Sequence, residues 1–330
     1  MDSIKFALNS VCPIILTVVA GYLLKRLGMI DGDFIKMGNK LVFRAFLPIT
    51  LFMNVYGIES PQTLDFGYVL YALAVLLVIF AAAIPTVIVL TKKKRCRGAL
   101  LQGIFRSNYA LIGIPLAQEL FGEQGTAMAT LLSAFIVPAF NILAVIGLSI
   151  FNNEGKKPDF KKILLGIIKN PLIIGIVAGA VALLFRKILA DFNIAFRVSS
   201  DLDFIWGGLK NLSGLSTPLA LVVLGAQFEF SAIKALKKEI ISGVLLRSVI
   251  VPIVGIGGAY LLFRNSFGGA QFAALVAAFG TPVAVSSVPM AQEMGADTEL
   301  AGQLVVFTTI TSALTVFVTS ALLYKAGIFC

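Results

Sequence analysis

Ser107-Asn108-Tyr109-Ala110-Leu111-Ile112-Gly113-Ile114-Pro115-Leu116-Ala117-Gln118-Glu119-Leu120 is the stretch on which the reading of this chain turns. It lies inside a long apolar segment, yet Gly113-x-Pro115 cannot continue an ordinary helix, because proline lacks a backbone donor and clashes with the preceding turn. Backbone groups freed within hydrocarbon cost several kcal/mol unless protein or a water-filled cavity satisfies them, so a span broken here marks a site. The lettering returns near the other end of the chain, where Val288-Pro289-Met290-Ala291-Gln292-Glu293-Met294 echoes Ile114-Pro115-Leu116-Ala117-Gln118-Glu119-Leu120.

The surrounding composition is that of an integral membrane protein. Of 330 residues 58% are hydrophobic and 13% charged, and the mean hydropathy is +0.95, outside the balance of a soluble domain. The apolar runs have the length of helical spans, about 20 residues each, rather than the short alternating segments of an outer-membrane barrel. A net charge of +10 would suggest nucleic acid in a soluble protein, but here the basic residues sit in short loops, where they set orientation, and no nucleic-acid partner is expected. Cys12, Cys96 and Cys330 have no metal or redox spacing and histidine is absent, which leaves no metal site and no histidine proton relay. The start, Met1-Asp2-Ser3-Ile4-Lys5, lacks the features of a signal peptide, so the first apolar run is expected to remain as a span.

Apolar runs set against charged gaps predict an all-α protein of ten spans: 5–24, 39–57, 66–91, 99–121, 126–151, 163–186, 205–228, 239–263, 269–293 and 300–324. Seventeen Lys and Arg, including the Lys92-Lys93-Lys94-Arg95 run, fall on one side and seven on the other. The richer side is expected to be cytoplasmic, with both termini outside it.

The chain also repeats. Pro13-x5-Val19-Ala20-Gly21 matches Pro171-x5-Val177-Ala178-Gly179, and Pro48, Pro85 and Pro115 match Pro218, Pro252 and Pro289 in the same order. Five spans per unit is an odd number, so the second copy enters the membrane from the opposite face. Residues 1–151 then form the first five-helix repeat, 152–162 a short basic cytoplasmic linker, and 163–330 the second, inverted repeat. Broken helices four and nine in matching positions of the two halves are the pattern of a secondary transporter.

A helix interrupted at mid-membrane exposes unpaired N–H groups and about half a positive charge at the start of its second half. Pro115 and Pro289 read as first-turn prolines of such half-helices, where a missing donor costs nothing. Two such ends facing one cavity make an anion the natural ligand. The lining is expected from Ser107, Asn108, Tyr109 and Gly113 before one break, and from Gly280, Thr281, Pro282, Ser286 and Ser287 before the other, with Pro115 and Pro289 at the breaks. Asn108 stands out, because its amide donates to a carboxylate and accepts from a hydroxyl or water. Its other reading is that it only satisfies backbone groups freed by the break.

Charges at membrane depth complete the candidates. Arg44 and Arg247 either attract an anionic solute or snorkel to the headgroups, and snorkelling is the expectation. Arg106, two residues before Asn108, either faces the cavity or pairs structurally. Glu119 and Glu293, with Gln118 and Gln292, either couple transport to Na⁺ or H⁺ or lie at the membrane surface beside Glu123 and Asp297, the surface being the expectation. The 26 phenylalanines show no stacking pattern and read as lipid-facing and packing surface.

These residues carry a family resemblance that covers essentially the whole chain. Asn108-x4-Gly113-Ile114-Pro115-Leu116 resembles the broken fourth helix of the auxin efflux carrier family, which includes the PIN-FORMED plant carriers and bacterial permeases for malate and malonate. Phe46-Leu47-Pro48-x2-Leu51-Phe52 is similar to the family's second helix, Arg247-x4-Pro252 to its eighth, and Pro282-x6-Pro289-x-Ala291-x-Glu293 to its ninth. The resemblance implies a fold like that of bile-acid/sodium symporters, with a scaffold from helices one, two, six and seven and a transport domain from helices three to five and eight to ten. It implies helices four and nine crossing at the substrate site, an elevator-like shift of the transport domain, and dimers through the scaffold. The long cytoplasmic loop of the plant carriers is missing, so control by phosphorylation there does not carry over, nor does auxin as the solute. The compact length looks bacterial, which would place the chain in the inner membrane.

The leading expectation is therefore a plasma-membrane carrier of a small organic anion, a carboxylate in the first instance, that needs no cofactor. The alternatives are a sodium symporter of a larger amphipathic acid and a membrane-embedded receptor or channel. An enzyme is not expected, since there is neither a metal-ligand cluster nor a nucleophile with a base, and no phosphate-binding glycine loop suggests direct ATP drive.

Overall fold

In a bilayer every backbone group must find a partner within the protein, and the apolar runs answer by forming helices. The computed structural model describes residues 2–57, 66–151, 160–192 and 194–329, and among them it is helical with no strand. Most of the linker read over 152–162 lies outside the described residues.

The first part of the chain forms α1 (Asp2–Arg26), α2 (Gly32–Leu41), α3 (Leu47–Tyr56), α4 (Phe66–Leu90), α5 (Lys94–Phe105) and α6 (Ile114–Phe151). A π-helical turn, Val42–Phe46, joins α2 to α3, and another, Tyr109–Gly113, leads into α6. The second part forms α7 (Phe160–Ile168), α8 (Pro171–Asp191), α9 (Val198–Asp201), α10 (Asp203–Gly214), α11 (Ser216–Ala226), α12 (Phe230–Ala235) and α13 (Lys237–Leu245). Then follow α14 (Gly258–Phe263), α15 (Gly269–Phe279), α16 (Ser287–Glu293) and α17 (Thr298–Lys325). Between α13 and α14 the chain makes two further π turns, Leu246–Ile250 and Ile253–Gly257, on either side of the Val251-Pro252 pair.

By length and composition, six helical runs among the described residues can cross a membrane: Phe66–Leu90, Tyr109–Phe151, Pro171–Asp191, Asp203–Ala226, Lys237–Phe263 and Thr298–Lys325. This makes the chain a multi-pass membrane protein. The 38 residues of α6 would run about 57 Å if straight, nearly twice a hydrocarbon core of about 30 Å. They fold back at Phe121 and Gly122, where Gly122 takes a left-handed φ of 57° that a side chain would resist.

Local signals explain several boundaries. Asp31 accepts the Phe34 N–H at 2.7 Å and starts α2, seven residues earlier than the hydropathy of the second span suggests. Asn170 accepts the Leu172 N–H at 2.9 Å with Pro171 in the first turn, so the predicted sixth span is divided into α7 and α8. Asp297 accepts the Leu300 N–H at 2.9 Å and starts α17.

Without a hydrophobic drive between helices in lipid, close packing depends on small residues. Gly225 of α11 lies so near α1 that a Cβ would overlap the Val18 carbonyl, and Gly21 of α1 meets the Val222 carbonyl in return. On the other pair, a Cβ on Gly175 or Gly179 of α8 would come within 2.5 Å of the Pro48 carbonyl oxygen or 2.7 Å of the Phe52 carbonyl oxygen of α3. The phenylalanines are more ordered than expected: Phe263 stacks on Phe267 at 4.8 Å, and Tyr71 meets both rings edge-on.

Candidate functional site

The chain is broken twice, between α5 and the Tyr109–Gly113 turn and between α15 and α16, and the two breaks meet. Ser107 and Val283 form an isolated antiparallel bridge, and the Asn108 N–H donates to the Pro282 carbonyl at 2.8 Å. The Ser107 hydroxyl lies 2.5 Å from the Thr281 hydroxyl, which in turn donates to the Ala277 carbonyl at 2.7 Å. From α17, the Thr308 hydroxyl accepts the Val283 N–H at 3.0 Å. Each break thus satisfies much of what the other frees. Ser107, Thr281, Pro282, Ser287 and Pro289 are all buried, so the crossing is packed in this conformation.

One break lies upstream of its expected position. Helix resumes at Tyr109, so Pro115 sits in the second turn of its half-helix and is exposed rather than capping the break. The turn just before it is π-helical: both Ile112 and Gly113 N–H groups go to the Asn108 carbonyl, at 3.1 and 3.3 Å. Gly113 instead permits a close crossing, since a Cβ there would lie 3.0 Å from the Ala277 carbonyl oxygen of α15. Pro289 does stand in the first turn of α16, as expected.

Arg247 overturns the snorkelling expectation. It is 1% exposed, and its guanidinium donates to Thr281 O from Nε at 3.0 Å and from Nη2 at 2.6 Å, and to Ala278 O at 3.3 Å. Its Nη1 reaches Ile104 O at 3.4 Å and Phe105 O at 3.3 Å. These are the free carbonyl ends of α5 and α15, which carry partial negative charge where the helices stop. A single side chain therefore holds both C-terminal ends of the break.

Arg106 is 2% exposed and turns to the other side. Its Nη1 donates to the Met290 sulfur at 2.6 Å, and its Nη2 to Asn141 Oδ1 and Ser286 Oγ, each at 2.7 Å. Asn141 is fixed by its own donation to the Val137 carbonyl at 2.8 Å. Nearby amide and hydroxyl atoms are buried with no hydrogen-bond partner: Asn108 Nδ2, Ser287 Oγ and Gln102 Oε1.

The remaining candidates are dispersed. The Tyr109 hydroxyl donates to the Ala129 carbonyl at 2.9 Å and is committed to packing against α6. Gln118 and Glu119 are exposed, and Glu119 lines a cavity of about 660 Å³ with Phe121, Ser320 and Tyr324. Gln292 accepts from Asn39 Nδ2 at 2.5 Å, and Glu293 accepts from Arg44 Nε at 2.9 Å. The two glutamates thus have different surroundings. Asn39, Gln227 and Asn141 escaped the sequence reading, although Asn39 and Asn141 are both fully buried amides. The signal for Asn141 was available, as a lone amide between Pro138 and a long apolar run.

Comparison with known proteins agrees on one class. A family model described as membrane transport protein matches residues 6–320. An uncharacterized transporter of Methanocaldococcus jannaschii is 28% identical over 226 residues, which cover 67% of this chain and 68% of the relative. An uncharacterized transporter of Methanothermobacter thermautotrophicus is 23% identical over 319 residues, 92% of this chain and 94% of the relative.

Proposed function

This chain belongs to the membrane transport protein family, the auxin efflux carrier group that its motifs resemble, and we propose that within it the chain is a secondary carrier of a small organic anion. It is a transporter and not an enzyme. The solute, on this reading a carboxylate, binds where the two breaks cross, and Asn108 contacts it. The observation that carries the reading is the Asn108 side chain: it is 8% exposed, stands at the crossing, and keeps an amide N–H₂ without a partner. A buried donor left unmade costs about 1–3 kcal/mol, a cost that an arriving carboxylate oxygen removes.

The same proposal takes 1–151 and 163–330 as two inverted five-helix repeats about the linker at 152–162. Reciprocal packing supports it: the glycine of Val19-Ala20-Gly21 closes on α11, and the glycine of Val177-Ala178-Gly179 closes on α3. Helices α1, α2, α3, α8, α10 and α11 then form the scaffold, and α4 to α6 with α13 to α17 the moving part. Arg44 to Glu293 and Asn39 to Gln292 are among the polar ties between the two. An elevator-like displacement breaks these ties and leaves Arg247 and the crossing intact. The exposed Val177, Val181 and Phe185 of α8 offer the scaffold face on which a second copy would pair, in a plasma membrane with both termini outside.

Counterflow in proteoliposomes tests the proposal. Vesicles preloaded with unlabelled malonate or malate are expected to accumulate the labelled acid transiently and saturably. Flux that follows the gradient without saturating would indicate a pore and defeat the carrier reading.

A further inference from the structure

We propose that Arg106 is the charge-matching residue of the crossing site: with Asn108 Nδ2, its guanidinium receives the anionic head group of the transported solute and so sets selectivity for charge. This rests on the organic-anion reading above and adds to it the residue that makes the site an anion site.

The argument begins with two buried guanidiniums that are neutralised differently. Among the described residues neither pairs with an acidic side chain. Arg247 has the carbonyl ends of two helices fixed around it, and their partial negative charges serve as its counter-ion. Arg106 has only a thioether, an amide oxygen and a hydroxyl. These satisfy N–H groups but supply no negative charge, and a thioether is a weak acceptor. A cation kept at membrane depth without an anion is costly and is by default functional.

A second observation supports the same place. Arg106 enters the crossing in extended form and Ser107 is bridged to Val283, after which Asn108, at φ −80° and ψ 55°, turns the chain into the next helical turn. Neighbouring side chains on extended backbone point apart, and these do: the Ser107 hydroxyl turns to Thr281 and Ala277, whereas Arg106 turns to Ser286, Asn141 and Met290. The unpartnered Asn108 amide stands two residues beyond the fixed cation, at the same crossing. Of the three Arg106 partners, Asn141 and Met290 are buried at 4% and 0% exposure, and Ser286 is partly exposed. A carboxylate enters on the Ser286 side, takes Nη2 from Ser286 Oγ with one oxygen, and accepts from Asn108 Nδ2 with the other.

The test uses the full-length protein in detergent and measures binding of acetate, malonate, malate and indole-3-acetate, each beside its uncharged amide. The wild type is expected to bind an acid at least about tenfold more tightly than its amide. Arg106→Gln is expected to bring the two within about twofold, Arg106→Lys to retain a reduced preference, and Asn108→Ala to weaken acid and amide alike with the ratio kept. A folded, monodisperse Arg106→Gln protein that keeps the wild-type ratio overturns the assignment while leaving the carrier reading standing. A wild type that binds amide as well as acid overturns the assignment too, and one that binds none of these probes overturns both. If Arg106→Gln does not fold, Ser286→Ala decides, because it frees one N–H of Nη2 and keeps the charge. The acid is then expected to bind at least as tightly as to wild type with its preference retained, and loss of that preference overturns the assignment.

Discussion

Arg247 donates twice to the carbonyl of Thr281, from Nε at 3.0 Å and from Nη2 at 2.6 Å, while its third nitrogen reaches the carbonyls of Ile104 and Phe105. The guanidinium joins the last turns of α5 and α15, so the two broken helices end on one cation. Removing it leaves several buried carbonyls without donors. Arg247→Met is expected to cost about 3–5 kcal/mol, seen as a lower thermal midpoint or loss of folded protein. Arg247→Lys, a point charge without the planar fork, is expected to recover only part. A lysine variant as stable as the wild type would contradict this role.

The glycine contacts give a prediction of the opposite chemistry. Gly225→Ala puts a methyl group into the Val18 carbonyl, and Gly179→Ala puts one 2.7 Å from the Phe52 carbonyl oxygen. Each is expected to destabilise by about 1–3 kcal/mol through forced separation of backbones. Gly166→Ala on α7, where a Cβ would meet nothing within 4 Å, is expected to be neutral or slightly stabilising. Equal thermal midpoints for all three would contradict the packing argument.

Arg44 and Glu293 should matter to motion more than to stability. Their side chains are 60% and 13% exposed, and they meet at 2.9 Å across the proposed boundary between scaffold and moving part. Arg44→Gln is expected to change stability by less than about 1 kcal/mol and to alter the exchange rate in proteoliposomes. Reversing both charges, Arg44→Glu with Glu293→Arg, should restore the rate towards wild type. An unchanged rate in the single variant would remove the pair from the transport cycle.

Cys96, in the first turn of α5, is 1% exposed and donates to Asp297 Oδ2 at 3.3 Å. Burial first, then the neighbouring Asp297 carboxylate, push its thiol up to about 12 from an ordinary 9.0. Near pH 8 the thiolate is then about a thousandfold scarcer than in an unfolded chain, so maleimide labelling is expected to wait for unfolding. The sign for stability follows. Above pH 9 the unfolded chain loses this proton while the folded one keeps it, so the contribution present below pH 9 falls away as pH rises towards 12. Rapid labelling of Cys96 in the folded protein would contradict the burial.

Much of the architecture is legible in the sequence, because hydropathy, proline and the repeated Ala-Gln-Glu lettering are local signals. Of the ten predicted spans, six helical runs among the described residues have the length and composition to cross a membrane, and both interruptions exist. The exact place of the first break is not local, however: it is set where Asn108 finds the Pro282 carbonyl, 174 residues away. For the same reason Arg247 reads as a snorkelling residue in sequence, since nothing near it reveals the carbonyl ends it meets. Glu119 and Glu293 share a motif yet differ in surroundings, because only Glu293 is met by an arginine from another helix. Asn39 and Gln227 are ordinary polar residues until the fold stacks them beneath Gln292.

The most direct measurement of the central claim is the thermal midpoint of the purified protein with mono- and dicarboxylates and indole acids, in Na⁺ and in K⁺ buffers, for wild type and Asn108→Ala. A carboxylate at about 100 times its dissociation constant should stabilise the wild type by about 2.7 kcal/mol. The account predicts that shift for at least one acid and its loss in Asn108→Ala, with the unliganded midpoint little changed. An undiminished shift in the variant, or none with any acid in the wild type, would contradict an organic-anion site at the crossing.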